Sequence, residues 1–232
     1  MKFFVENQDV EAKVSSILAK IRMHMNGETS AQMSKRGIVY RTNYGVGQPH
    51  IKSIASNYEK DWALADRLWH REERECMLLA LNLAPLDKMT LDQVKEWMPL
   101  ITNIELIEYG ALHLFSKLPY SLEMADCCIE QEKEDYNALG FYVLAWNIQQ
   151  NENCLVSDVE SVMESHFEDT ADNEYILCKA KAFLARKYIR KTNHSHPSIT
   201  ELMKVLKEND DVYIQGLAID IDTELEFVKG QK

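Results

Sequence analysis

Apolar residues recur at intervals of three and four along nearly the whole chain, and this spacing constrains the fold more than any other feature of the sequence. One such set is Val14, Ile17, Leu18 and Ile21. The spacing places apolar side chains on one face of an α-helix, and no run of alternating β-branched residues is bounded by hairpin turns. The sequence therefore predicts an all-α fold.

Local start signals divide this helical pattern into pairs. An N-terminal helix is predicted near Asp9–Met25, and Thr90 to Gln93 has the pattern of a capping box. Helix pairs are predicted to begin near Asp61, Thr90, Ser121, Leu155 and Pro197. Spacings of roughly thirty to forty residues suit two-helix repeats that stack to share a core. Because no Pro/Ser-rich linker interrupts the pattern, residues 1–232 are predicted to form one domain, a curved α-α superhelix (solenoid).

Charge is distributed unevenly along the chain. The formal net charge of −11 argues against a nucleic-acid partner, because phosphate binding needs a positive surface. However, Tyr120–Glu174 holds 14 acidic residues and 1 basic residue, whereas Tyr175–Lys207 holds 8 basic residues and 1 acidic residue. The chain therefore has one acidic block and one basic block.

Composition and motifs predict neither a cofactor nor a membrane partner. No run approaches the roughly eighteen consecutive apolar residues of a membrane span, so a cytoplasmic protein is expected. The five cysteines lack C-x-x-C spacing and are predicted to be reduced core or near-surface thiols. His194 and His196 lie in a polar loop without Cys or carboxylate residues nearby in sequence, so no metal site is predicted. The common nucleotide-binding and hydrolase motifs are absent from the sequence.

The stretch from Gly45 to Pro85 carries a resemblance to a known family. A glycine turn and a proline-opened helix are followed by Leu68-Trp69 and by Glu73-Arg74-Glu75 before an apolar helix. This arrangement resembles the HEAT-like-repeat DNA alkylation repair proteins, the alkylpurine DNA glycosylases of the AlkD type, and the likeness covers about Met33 to Lys191. It implies HEAT-like helix pairs and hydrolysis of the N-glycosidic bond of N3- or N7-alkylated purines in a concave groove, without flipping of the base into a tight pocket.

In the resembling family, a helix supplies a tryptophan and, four residues later, an aspartate to this groove. The segment Thr102–Glu108 matches the motif in spacing, with Ile104 at the tryptophan position and Glu108 at the aspartate position. A carboxylate at this position would stabilise the oxocarbenium-like deoxyribose and orient a water molecule. Glu108 is therefore the candidate catalytic carboxylate. Ile104 cannot supply the cation–π attraction of an aromatic ring. The alternative for Glu108 is an ordinary exposed helix acid.

Two further family positions fall in the second half of the chain. Gly140 occupies the position of an arginine that binds phosphate, and it lacks the donor. Because glycine costs about 1 kcal/mol relative to alanine within a helix, Gly140 is predicted to mark a close helix contact or a kink. Phe183 replaces a second groove tryptophan within the segment Lys179–Arg186 and is the second candidate catalytic residue.

The basic block also contains the candidate DNA-binding residues. With Phe183, they share one helix face by their spacing, and they are Lys179, Arg186, Lys187 and Arg190. A basic face with an aromatic residue in its middle suits a phosphate-tracking groove. The alternative is a solvated face that neutralises the acidic block. DNA is favoured if these residues line the groove together with Lys35, Arg36 or Arg41, and the alternative is favoured if they dock on the acidic block.

Two functions follow from these patterns. The first is a monomeric DNA alkylation repair family protein that binds double-stranded DNA weakly and in a salt-dependent manner, with weakened or lost N-glycosidic hydrolysis. The second is a non-catalytic HEAT-like scaffold that binds a protein partner.

Overall fold

The computed structural model describes residues 7–167 and 175–230, and this part of the chain is built from α-helices. The helices are α1 (Gln8–Met23), α2 (Gly27–Lys35), α3 (Gln48–Ala55), α4 (Trp62–Trp69), α5 (Arg74–Leu83), α6 (Leu91–Trp97), α7 (Ile104–His113), α8 (Ser121–Ile129), α9 (Glu134–Gln150), α10 (Val156–His166), α11 (Tyr175–Thr192), α12 (Pro197–Glu208) and α13 (Val212–Lys229). Short 3₁₀ helices, Met98–Leu100 and Phe115–Lys117, follow α6 and α7. The described residues contain no β-strand, so the predicted all-α class is confirmed.

Side-chain caps mark several of the predicted helix starts. The side chain of Asp61 caps α4 by accepting from the amide of Leu64 at 2.7 Å. Thr90 and Gln93 form the predicted capping box at the start of α6. The remaining starts agree within one residue, because α8 begins at Ser121, α10 is preceded by Leu155, and α12 begins at Pro197. The caps of α4 and α6 act over three residues, which is why the sequence predicts them well, whereas α8 and α10 begin without a side-chain cap.

The helices form two compact units, residues 1–119 and residues 120–232. In the first unit, α5 packs against α3, α4 and α7, and every residue of α5 except Asn82 is buried. Beside it, Trp69 stacks on Trp97 with ring centroids 4.6 Å apart, and both indoles are fully buried. These two tryptophans therefore pack in the core of the first unit. The partly exposed Trp62 extends the stack from Trp97 at 5.2 Å.

The second unit repeats a pair arrangement. The first helix of a pair packs on the second, as α8 packs on α9 and α12 packs on α13. The second helices of successive pairs also pack side by side, in the order α9, α11, α13. The unit thus has the two-layer order expected of stacked helix pairs. The curvature of a superhelix and a single domain over residues 1–232 concern the arrangement of the two units and stay predictions.

Gly140 marks the closest approach of α8 and α9. A Cβ atom at this position would lie 2.7 Å from the carbonyl oxygen of Ala125 and 2.7 Å from Cγ1 of Ile129. Real Cβ atoms essentially never come so close to other heavy atoms. The glycine at the family's arginine position therefore has a packing reason, as the sequence predicted.

A buried ion network ties the glycine turn to the core of the first unit. The guanidinium of Arg74 binds both carboxylate oxygens of Glu105, at 2.6 and 2.8 Å. Glu75 is fully buried and accepts hydrogen bonds from the amides of Tyr44 and Val46 at 3.1 and 3.0 Å. Burial opposes the charge of Arg74, yet Glu105 and Glu75 raise its pKa above the ordinary value. The Glu73-Arg74-Glu75 signature thus serves structure rather than chemistry.

None of the helices in the described part of the chain is long and apolar enough to cross a membrane.

Candidate nucleic-acid interface

The candidate catalytic segment forms the first two turns of α7. Asn103 caps this helix by accepting from the amide of Leu106 at 3.1 Å. Ile104 is the first helical residue, and Glu108 lies one turn later on the same face. Both side chains are partly exposed, so Glu108 is not a core residue, and its catalytic role and the alternative of an ordinary exposed helix acid both stay open.

The C-terminal end of α7 carries a histidine in a positively charged environment. The ring of His113 lies 4.1 Å from that of Tyr109, whose hydroxyl accepts from Asn82 at 2.8 Å. Burial, together with the charges of Lys52 and Lys117, lowers the pKa of His113 to about 4. His113 is therefore neutral at neutral pH.

Three lysines from separate segments act on one another electrostatically at the C-terminal end of α7, Lys52 and Lys60 on Lys117 and two of them, Lys52 and Lys117, on His113. Lys52 lies on α3, Lys60 precedes α4, and Lys117 lies in the 3₁₀ helix after α7. Burial lowers the pKa of Lys117, and so do the charges of Lys60 and Lys52. We call these three residues the lysine cluster. Sequence reasoning missed it because residues 1–119 hold 15 acidic and 15 basic residues, and because the three lysines are isolated from one another along the chain.

In the second unit, Phe183 joins two aromatic residues of α9. Its ring centroid lies 5.0 Å from that of Tyr142 and 5.5 Å from that of Trp146, both at tilted angles. Phe183 and Trp146 are partly exposed, while Tyr142 is buried. We call these three residues the aromatic cluster. Trp146 therefore packs between the second helices of two pairs and also reaches the surface.

Lys187 points into the aromatic cluster rather than along an open basic face. Its Nζ lies 4.1 Å from the ring centroid of Trp146 and 5.1 Å from that of Phe183, and it donates to Oε1 of Gln149 at 2.9 Å. Burial lowers the pKa of Lys187, with further lowering by Arg190 and Arg186. Lys187 therefore departs from the alternative of a solvated face, because the adjacent aromatic rings attract the ammonium, and its predicted role in DNA binding stays a prediction.

The two arginines of α11 are paired with α13. Arg190 Nε donates to Oε1 of Glu224 at 2.7 Å, and Arg186 lies 3.9 Å from the same carboxylate. Asp220 lies 3.8 Å from Arg186. Glu224 is buried, whereas both arginines keep part of their side chains exposed. These arginines thus form ion pairs with acidic residues after residue 208. They do not contact the described part of the acidic block, as the scaffold alternative required, and they are not free for DNA along their whole length, as the DNA alternative required. Lys179 is partly exposed one turn after Tyr175.

The predicted groove residues are divided between the two units. Glu108 and the exposed residues Lys35, Arg36 and Arg41 belong to the first unit, whereas Phe183 and the basic face of α11 belong to the second. The expectation that they face one groove stays a prediction.

The histidines and cysteines have local roles within the described residues. His194 lies 3.1 Å from the hydroxyl of Tyr188, and His196 accepts from the amide of Ser198 at the start of α12. All five cysteines are free, four of them buried, and burial raises the pKa of Cys128 to about 12. Over residues 7–167 and 175–230, no three His, Cys, Asp or Glu side chains are grouped so that they could hold a metal ion.

Stacked helix pairs, with aromatic and basic residues on the second helix of a pair, define a HEAT-like helical repeat protein. A family model described as DNA alkylation repair enzyme matches residues 17–172, which is more than half of the chain. The protein therefore belongs to the DNA alkylation repair enzyme family.

A solved structure is similar over almost the whole chain. It is described as "a new family of proteins related to the HEAT-like repeat DNA glycosylases with affinity for branched DNA structures". The similarity covers 92% of this chain and 94% of the other, with a TM-score of 0.73 and 15% sequence identity. At this identity the comparison shows the HEAT-like fold. No curated protein sequence matches the chain.

Proposed function

We propose that the protein binds DNA, including branched DNA, and that base excision is weakened or lost. The observation that carries DNA binding is the lysine cluster. Burial is the largest cause of the lowered pKa of Lys117, and the charges of Lys60 and Lys52 lower it further, so a phosphate bound there would relieve their mutual repulsion. The structurally similar protein has affinity for branched DNA, which supports the choice of ligand.

The residues at the family's catalytic positions support only slow base excision. Glu108 retains a carboxylate but is one methylene longer than the aspartate of the family motif, and misplacement by about 1 Å costs on the order of a hundredfold in rate. Ile104 offers no ring face for a cationic transition state. Gly140 offers no phosphate donor, and the packing of α8 against α9 leaves no room for a side chain there.

Replacing Lys52 and Lys117 together by methionine is expected to weaken DNA binding at low salt. Each lysine that neutralises a phosphate contributes about one unit to the slope of log affinity against log salt for duplex DNA, so the slope should flatten by about two. Linear duplex and three-way junction DNA are titrated at several salt concentrations. The matched control is Lys88→Met with Lys95→Met, which removes two exposed lysines of the same unit. Equal effects of the two double variants would contradict the lysine cluster as a phosphate site.

Release of N7-methylguanine or N3-methyladenine from duplex DNA is expected to be near the uncatalysed rate. Any residual excision should fall with Glu108→Gln, which removes the charge and keeps the size of the side chain. The measurement is single-turnover base release with excess protein. Rapid release that Glu108→Gln leaves unchanged would overturn both the proposed loss of activity and the role of this carboxylate.

A second candidate, a scaffold for a protein partner, rests on an acidic cavity in the second unit. The cavity has a volume of about 410 Å³ and is lined in part by Asp126, Glu130 and Asp158. Burial raises the pKa of Asp126, and the charges of Glu130 and Asp158 raise it further. A basic side chain of a partner would relieve this repulsion. No detectable DNA binding at low salt would favour this candidate.

A further inference from the structure

We propose that the aromatic cluster and Lys187 form a binding site for an unpaired DNA nucleotide, with the base stacked on Trp146 and Phe183 and its phosphate bound by Lys187. This inference rests on the proposed DNA binding and deepens it by naming the part of the DNA that the second unit recognises.

The aromatic surface is available to a ligand. Trp146 and Phe183 come from neighbouring helices, are both partly exposed, and meet at an interplanar angle of 57°. The tryptophan stack of the first unit differs, because Trp69 and Trp97 lie nearly parallel and fully buried. The one partly exposed ring of that stack, Trp62, lies on the buried Trp97, whereas in the aromatic cluster two partly exposed rings lie side by side. Side-chain rings that reach solvent side by side can receive a base.

The cation beside these rings has a neutral hydrogen-bond partner. Lys187 Nζ donates to the amide oxygen of Gln149 at 2.9 Å and lies over the ring of Trp146. The acidic side chain that acts on its charge, Glu224, contacts Arg190 and Arg186. A partly buried ammonium without a carboxylate in contact is stabilised by a phosphate oxygen, which forms a charge-assisted hydrogen bond.

This combination favours an unpaired nucleotide over a paired one. In a duplex the faces of each base are covered by its neighbours, so side-chain rings can stack only on a base that has left the helix. Single strands, gaps and branch points expose such bases. Aromatic rings that stack on bases beside cations that bind the backbone are typical of sites for single-stranded nucleic acid.

Fluorescence of 2-aminopurine tests the proposal directly. The probe is placed at the unpaired position of a three-way junction, and, as a control, at a paired position within one arm. We expect the protein to quench the unpaired probe and not the paired one. Trp146→Leu and Phe183→Leu should each abolish quenching and weaken binding of a short single strand about tenfold, within the range known for stacking contacts.

Three further variants separate stacking from folding and from charge. Trp146→Phe keeps a ring and should retain quenching, whereas Phe227→Leu removes an exposed ring on α13 and should change nothing. Lys187→Met should flatten the salt slope for single strands by about 0.7. Thermal unfolding confirms that each variant is folded.

The outcomes distinguish this inference from the proposed function. If the junction binds but the unpaired probe is not quenched, or if Trp146→Phe loses quenching while remaining folded, the nucleotide site is wrong and DNA binding stands. If no DNA binds at low salt, the proposed function fails and the nucleotide site fails with it.

Discussion

Arg74→Met is expected to lower the free energy of unfolding by about 3–5 kcal/mol, the usual cost of breaking a buried ion pair by removing one partner. The guanidinium is only 4% exposed and binds Glu105 through two hydrogen bonds and Glu75 through a third. Its removal leaves two carboxylates in the interior without their cation. Urea denaturation followed by circular dichroism measures the change.

The effect should be specific to the buried network. Lys204→Met removes one partner of an exposed pair with Glu201, whose side chains are 60% and 46% exposed. Exposed pairs contribute little, so this control should change the free energy of unfolding by less than about 1 kcal/mol. A similar loss of stability in both variants would show that the network around Arg74 does not stabilise the unit.

Substitution by alanine at two helical glycines should change the free energy of unfolding in opposite directions. Gly140→Ala is expected to destabilise the protein by about 1–3 kcal/mol, because the new methyl group would overlap a backbone oxygen of α8 that cannot rotate away. Gly216 lies within α13, and nothing lies within 4 Å of a Cβ atom placed there. Gly216→Ala should therefore stabilise the protein by up to about 1 kcal/mol through helix propensity alone.

Urea denaturation of the two variants side by side measures this difference. Stabilisation by Gly140→Ala would show that α8 and α9 can separate at little cost and that the contact does not require glycine. An arginine introduced at residue 140 to restore the family's phosphate donor would meet the same backbone atoms, so it should disturb α8 before it reaches DNA.

The helices could be predicted from the sequence because their signals are local. Asp61 caps an amide three residues later, and Thr90 and Gln93 cap each other's backbone over the same distance. Such contacts exist in the helix itself and need no tertiary partner. The packing role of Gly140 was also predictable, because glycine within a helix requires a compensating reason.

The partners of the charged side chains at the candidate site were less predictable. By spacing, α11 has a continuous basic face, but its partners come from distant segments of the chain. Glu224 reaches Arg190 from 34 residues away, and Gln149 reaches Lys187 from 38 residues away. The lysine cluster likewise joins three segments of the first unit. Coulomb interactions depend on distance in space, so their sum at a site follows only from the fold.

The sequence by itself therefore determined the helical class, the helix starts and the family resemblance, because periodicity, capping and motif spacing are properties of neighbouring residues. Tertiary structure alone decided which cations are neutralised, which are desolvated and which repel one another. Lys187 shows the difference most clearly. Its position on α11 predicts one more cation on a basic face, whereas the packing of α11 on α9 places its ammonium over the ring of Trp146, beside the aromatic cluster.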